Sequence, residues 1–171
     1  MRKTFPAFAL ALIAMLAVAG CGSSNDSSGS NAGGAYGSGG ESTKAASTGG
    51  TVAVVTAASA PKLGRIIVDS KGLTLYDFHK DKGTTSACYG GCAKVWPPLT
   101  TEGNPQVGEG AMASKLGTTK RKDGTLQVTY AGHPLYTYTA DTKPGDAKGN
   151  DFSSFGAEWY ALQPSGEEAE G

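Results

Sequence analysis

Apolar and polar residues alternate with a period of two along several short stretches of this chain, the spacing of strands with one buried face. The clearest stretch, Thr125 to Tyr130, sets Leu126, Val128 and Tyr130 on one side. Leu73 to Phe78 alternates too, with Leu73, Leu75 and Asp77 on one face and Thr74, Tyr76 and Phe78 on the other. The β-branched run Arg65 to Asp69 precedes it across Ser70-Lys71-Gly72, so the two read as a hairpin. Lys115 to Arg121 is a weaker strand that leads into Asp123-Gly124. That dipeptide predicts a two-residue type I′ turn, with positive φ at both central positions. Ala131-Gly132 turns the chain again, and Leu135 to Thr139 puts Tyr136 and Tyr138 on one face. The 26 glycines and the short apolar runs favour strands and turns over helices. The expectation is an all-β fold of mostly antiparallel hairpins.

One pattern occurs twice. Leu75-Tyr76-Asp77-Phe78-His79-Lys80-Asp81 and Leu135-Tyr136-Thr137-Tyr138-Thr139-Ala140-Asp141 both read Leu-Tyr-x-aromatic-x-x-Asp, and a tryptophan follows each, Trp96 and Trp159. A repeated unit implies a repeated fold element and a shared core. Tyr76, Phe78, Tyr136 and Tyr138 are therefore expected to pack inward with Trp96 and Trp159. The competing reading is an exposed aromatic platform for sugars or a planar cofactor. Asp81 and Asp141 fall beyond the strand ends, where aspartate holds turns by accepting backbone N–H bonds. Metal or proton chemistry is the alternative for them. Trp96-Pro97-Pro98-Leu99 reads as a stiff corner, since proline fixes φ.

The N-terminal end has another logic. Arg2 and Lys3 precede an apolar run of twelve residues, Ala7 to Val18, and Val18-Ala19-Gly20-Cys21 follows. The run is too short to span a bilayer as a helix, which takes about 20 residues. It reads as an export signal over residues 1–20. Val-Ala-Gly-Cys resembles the bacterial lipobox, and that resemblance implies lipidation of Cys21 and a membrane anchor without a transmembrane helix. Residues 21–50, rich in Gly, Ser, Ala, Asn and Thr, form an expected flexible tether. A β-rich domain over residues 51–165 follows, with repeats at about 63–100 and 115–163, and then an acidic, disordered tail over 166–171.

Charge and composition narrow the chemistry. Without Arg2 and Lys3 the chain keeps 13 basic residues against 15 acidic ones. Nothing in that balance suggests nucleic acid, which calls for a basic domain. Lys120-Arg121-Lys122 sits beside the predicted turn and reads as a solvated hairpin tip. Cys88 and Cys92 form an even pair in an exported domain, hence a disulfide. Its short loop gives about 2 kcal/mol in the loop-closure model. A redox-active pair, a metal site and a haem site are the alternatives to a structural one. The spacing is Cys-x-x-x-Cys, not Cys-x-x-Cys, and no second cysteine pair offers zinc four thiolates. His79 and His133 are the two histidines, and neither has a partner at metal-ligand spacing. Asp146, Asn150 and Asp151 offer oxygens for calcium without the spacing of a known calcium loop. No phosphate loop, serine-hydrolase elbow or metalloprotease helix occurs.

These residues together resemble the bacterial secreted-repeat lipoproteins, a family of unknown function with a Tyr-x-aromatic-x-x-Asp motif. The likeness runs through Asp69 to Tyr76 and Asp81, Cys88 to Cys92 and Val95 to Leu99. It resumes at Asp123-Gly124, Gly132 to Tyr136 and Asp141, Pro144-Gly145-Asp146, Gly149 and Trp159-Tyr160. Members often carry Asn-Gly where this chain has Ala131-Gly132. The resemblance implies an envelope location and a two-copy architecture, and it carries over no catalytic residue. The resulting expectation is a non-enzymatic binding or structural module, anchored to the membrane, with no assigned catalytic, cofactor or metal residue. Its protein or small-molecule partner is not specified. A redox or cofactor protein using Cys88/Cys92 or the aromatic face is the first alternative, and a calcium-binding module the second.

Overall fold

The structure is a computed structural model that describes residues 51–171. The expected signal segment, Cys21 and the tether lie outside the described residues. Short strands dominate: β1 Val54–Ala60, β2 Gly64–Asp69, β3 Tyr76–Phe78, β4 Gln106–Val107, β5 Leu116–Lys120, β6 Leu126–Tyr130, β7 His133–Pro134, β8 Phe152–Ser154 and β9 Ala157–Ala161. The α-helix α1, Gly91–Val95, is five residues long. Among the described residues three three-stranded sheets have orders β2-β1-β4, β3-β9-β8 and β5-β6-β7, antiparallel except for the β1–β4 pair. The fold is all-β, as the alternation predicted. Among the described residues no helix is long and apolar enough to cross a membrane.

The first hairpin differs from the sequence reading. β2 pairs along its length with β1, from Val55↔Asp69 to Ala60↔Gly64, and not with Leu73 to Phe78. The alanine-rich β1 lacks the alternating contrast that marks a strand. Leu73 to Phe78 does fold back across the predicted turn, which Asp69 holds by accepting the Lys71 and Leu73 N–H groups, both at 2.9 Å. It touches β2 only briefly, at Val68↔Thr74 and through Leu75 N–H to Ile67 C=O. It then leaves for a different sheet and pairs with β9.

The two motif copies meet at the centre. Tyr76 and Tyr136 exchange backbone bonds, N–H to C=O, at 2.9 and 3.0 Å. Outward from this pair the arrangement is the same on both sides. Phe78 pairs with Trp159, and Thr137 and Thr139 donate to the Pro97 and Val95 carbonyls. Leu75 C=O accepts from Leu162 and Leu135 C=O accepts from Leu99. Each motif strand is therefore flanked by the tryptophan segment of the other half. An approximate two-fold relates the halves, and each completes the other.

The core has two parts. One is mainly aliphatic, with Val55, Ile67, Leu75, Val128, Leu135 and Leu162 around Tyr130. The other is ring-rich and contains Tyr76, Phe78, Trp96, Tyr136 and Trp159. The expected disordered tail is instead ordered. Ala169 is buried and donates to Ala161 C=O, and Leu162↔Glu168 forms an antiparallel bridge. The bonds Gln163 N–H to Glu167 C=O and Gly166 N–H to Gln163 C=O turn the chain back on β9. One small apolar side chain among carboxylates gave no signal for this.

Candidate functional site

Alternation on the motif strands sends Tyr76, Phe78, Tyr136 and Tyr138 to one side, where the two tryptophans wait. Trp96 and Trp159 stack at 3.9 Å between centroids and 3° between planes. Phe78 stacks on the outer face of Trp159 at 3.9 Å, and Tyr138 on that of Trp96 at 4.1 Å. The result is a continuous pile of four rings, one from each motif strand and one from each tryptophan segment. Tyr76 and Tyr136 stand edge-on to Trp96 and Trp159 at 5.4 and 5.2 Å. Tyr76, Phe78, Tyr136 and both tryptophans are buried, and Tyr138 is half-buried. The rings form core and not an open platform.

The motif aspartates reach across the two-fold. Tyr76 O–H donates to Asp141 Oδ2 at 2.5 Å, and Tyr136 O–H donates to Asp81 Oδ2 at 2.8 Å. The second carboxylate oxygen of each holds its local turn, accepting the Lys148 and Ala87 N–H groups at 3.0 and 2.7 Å. The turn role expected for Asp81 and Asp141 is thus half of what they do. Burial first, and then the facing carboxylate, push both phenols above the ordinary tyrosine range. Burial likewise raises the Asp81 carboxyl. Each phenol oxygen also accepts a bond: Gly149 N–H approaches Tyr76 at 3.3 Å, and Ser86 O–H approaches Tyr136 at 2.8 Å. A Cβ at Gly149 would come within 2.6 Å of the Trp96 ring, so this close approach requires glycine.

Around the first half, Cys88 and Cys92 are joined in a disulfide whose residues are buried. It ties α1 to the preceding loop, and Trp96 follows directly, its N–H donating to Cys92 C=O at 2.8 Å. Arg121, expected at a solvated tip, is 4% exposed. Its guanidinium donates to Ser86 Oγ, Gln127 Oε1 and Cys88 C=O at 2.6–2.8 Å and lies over the Tyr89 ring. A buried guanidinium needs such partners, and its planar fork suits three acceptors. The neighbouring turn closes through Gly124 N–H to Arg121 C=O with positive φ at Gly124 and not at Asp123. That corrects the expected type I′ turn. Ala131 and Gly132, by contrast, both have positive φ, 50° and 90°. The I′ geometry sits there, with alanine where asparagine is more at ease.

The calcium reading finds no support in the loop geometry. Asp146 accepts from Thr142 and Lys148, Asn150 from the Ala161 N–H, and Asp151 from Tyr160 O–H. Their oxygens serve different partners instead of converging.

The histidines correct another expectation. Both come to one cleft of about 310 Å³, lined by Asp77, His79, Asp81, Ala131, His133 and Glu168 among others. His79 Nε2 lies 2.7 Å from Glu168 Oε1, and His133 Nδ1 lies 3.1 Å from Asp77 Oδ2. The bond to Asp77 raises the His133 imidazole, against the opposing effect of partial burial. Asp77 is 2% exposed, and its Oδ1 has no hydrogen-bond partner among the described residues. No local spacing could reveal this group, because β3, β7 and the tail assemble it across as many as 89 positions.

A family model described as a secreted repeat of unknown function matches residues 57–100 and again 117–163. The chain belongs to this family. Two tandem matches coincide with the two motif copies and with the two-fold of the fold. No curated protein and no solved structure matches the chain. Membership in the secreted-repeat family makes this an exported protein, and it assigns no reaction. Within the secreted-repeat frame, the Tyr, aromatic and Asp positions are the ones that lock the halves together, whereas Asp77 and His79 occupy intervening positions that differ between the copies.

Proposed function

We propose that this chain is a lipid-anchored, non-enzymatic module of the bacterial cell envelope, tethered through Cys21, which presents a rigid β surface for binding or bracing. The single observation behind this reading is where the motif's polar atoms go. Tyr76 and Tyr136 commit their hydroxyls to Asp141 and Asp81 inside the molecule. A signature used in this way fixes shape and leaves the surface loops to carry recognition. The buried disulfide supports a bracing role for Cys88 and Cys92, since exchange requires access to sulfur. Fractionation of host cells tests the anchor. The wild-type chain should sediment with membranes, and its N-terminal peptide should begin at an acylated Cys21. Cys21→Ser should lose that mass and the membrane association. A wild-type chain found free and unacylated would defeat the proposal.

A further inference from the structure

We propose that Asp77, His79 and Glu168 bind a divalent first-row transition-metal ion, with His133 positioning Asp77. One donor atom from each of the three lies within 4.8 Å of the others. Such a set needs only small side-chain shifts to close on one ion, and His79 and Glu168 have room for them, with side chains 37% and 42% exposed. The ion would replace the His79–Glu168 hydrogen bond.

The second observation is independent of that clustering. Asp77 is buried on β3 and is one of the residues that line the cleft. Oδ2 is occupied by His133, and Oδ1 has no partner among the described residues. A buried oxygen left unpaired forfeits the hydrogen bonds that water gives it in the unfolded chain, a larger loss if it is charged. Coordination removes that cost. A ligating carboxylate held by an outer hydrogen bond is also a recurrent feature of metal sites.

The two-fold supplies an internal control. Position by position, the second copy has Thr137 for Asp77 and Thr139 for His79. Those threonines sit at the equivalent positions, and Thr139 N–H bonds Val95 C=O as His79 N–H bonds Glu158 C=O. The scaffold therefore requires neither a carboxylate nor an imidazole at these positions. Their presence in one copy alone points to a ligand.

The donor set narrows the ion. One imidazole with two carboxylates suits zinc, copper or nickel, whereas calcium and magnesium take oxygen ligands. Three protein ligands leave a position open to water or to a partner's side chain. The imidazole face is steadied by Tyr160, whose ring lies 4.8 Å from that of His79. The backbone of His79 is fixed by its N–H bond to Glu158 C=O at 3.0 Å.

Calorimetric titration of the full-length, untagged chain in detergent with Zn²⁺, Cu²⁺ or Ni²⁺ tests this, with Ca²⁺ as the comparison. The expected result is one ion per chain for at least one of the three, no binding of Ca²⁺, and a melting temperature that rises with that ion. His79→Gln and Glu168→Gln, both at partly exposed side chains, should keep the circular dichroism of the fold and weaken binding at least tenfold. Asp77→Thr, which copies the second motif, should remove binding. His133→Gln should weaken it about 10- to 100-fold by releasing Asp77. No saturable binding of any of the three ions would overturn the proposal. So would binding of equal strength in the wild type and in both folded glutamine variants.

Discussion

Two phenols carry the lock between the halves. Tyr76 and Tyr136 are fully buried, each donates to the other copy's aspartate, and each accepts a bond in return. Removing one hydroxyl leaves a carboxylate oxygen short of a donor, on buried Asp141 or half-buried Asp81. Tyr76→Phe or Tyr136→Phe should therefore cost about 1–3 kcal/mol in urea unfolding. A loss under about 0.5 kcal/mol would show that water replaces the hydroxyl at no cost. Both phenols also titrate above the ordinary tyrosine range, chiefly because of burial. In the unfolded chain they ionise near pH 10. Below that pH both states hold the protons, and the stability is intact. Above it the unfolded chain releases protons that the native state keeps, so stability falls as pH rises. The slope approaches about 1.4 kcal/mol per pH unit for each tyrosine. Unfolding measured at pH 9, 10 and 11 should show this decline in the wild type and a shallower one in the Tyr76→Phe/Tyr136→Phe variant. Parallel profiles would mean that these phenols titrate like exposed ones.

At the scale of single elements, local chemistry was legible where it alone decides the structure. The alternation of Leu126, Val128 and Tyr130 marked β6, and the tight turn after it was evident from Gly132. The turn's conformation was not evident. Ala131 holds φ 50°, a left-handed position that costs an L-residue about 1–2 kcal/mol and that asparagine tolerates better. Ala131 is exposed, so Ala131→Asn should raise stability by about 0.5–1 kcal/mol, read as a higher melting temperature. An unchanged or lower temperature would show that the turn is held by its flanking strands regardless of residue. β1 was missed for a different reason: Val-Val-Thr-Ala-Ala-Ser-Ala offers little difference between its faces. The tail was missed because its order depends on pairing with β9, not on its own composition. Arg121 was misplaced because its acceptors, Ser86 and Cys88, come from a distant loop.

At the scale of the molecule, a repeat in the sequence shows that two units are alike but not how they are joined. Here they are exchanged. Phe78 pairs with Trp159, Thr137 and Thr139 pair with the segment before Pro98, and both aspartates bond across the two-fold. The four-ring pile draws alternately from both halves. This is the logic of an isologous dimer interface, realised within one chain. Neither half can then satisfy its own motif, because its tyrosine lacks an aspartate and its strand lacks a neighbour. A chain of about 60 residues is marginal even with a complete core. Residues 51–114 and 115–171, expressed separately, should each give an amide NMR spectrum without dispersion. Mixed in equal amounts, with Cys88–Cys92 oxidised, they should recover the dispersion and the tryptophan fluorescence of the intact domain. The recovery should depend on concentration, since association is then bimolecular. It should weaken when one fragment carries Asp81→Ala or Asp141→Ala, because each change removes the acceptor of one bond across the two-fold. Independent folding of either fragment as a monomer would contradict the exchanged arrangement directly, and would place the motif contacts within each half.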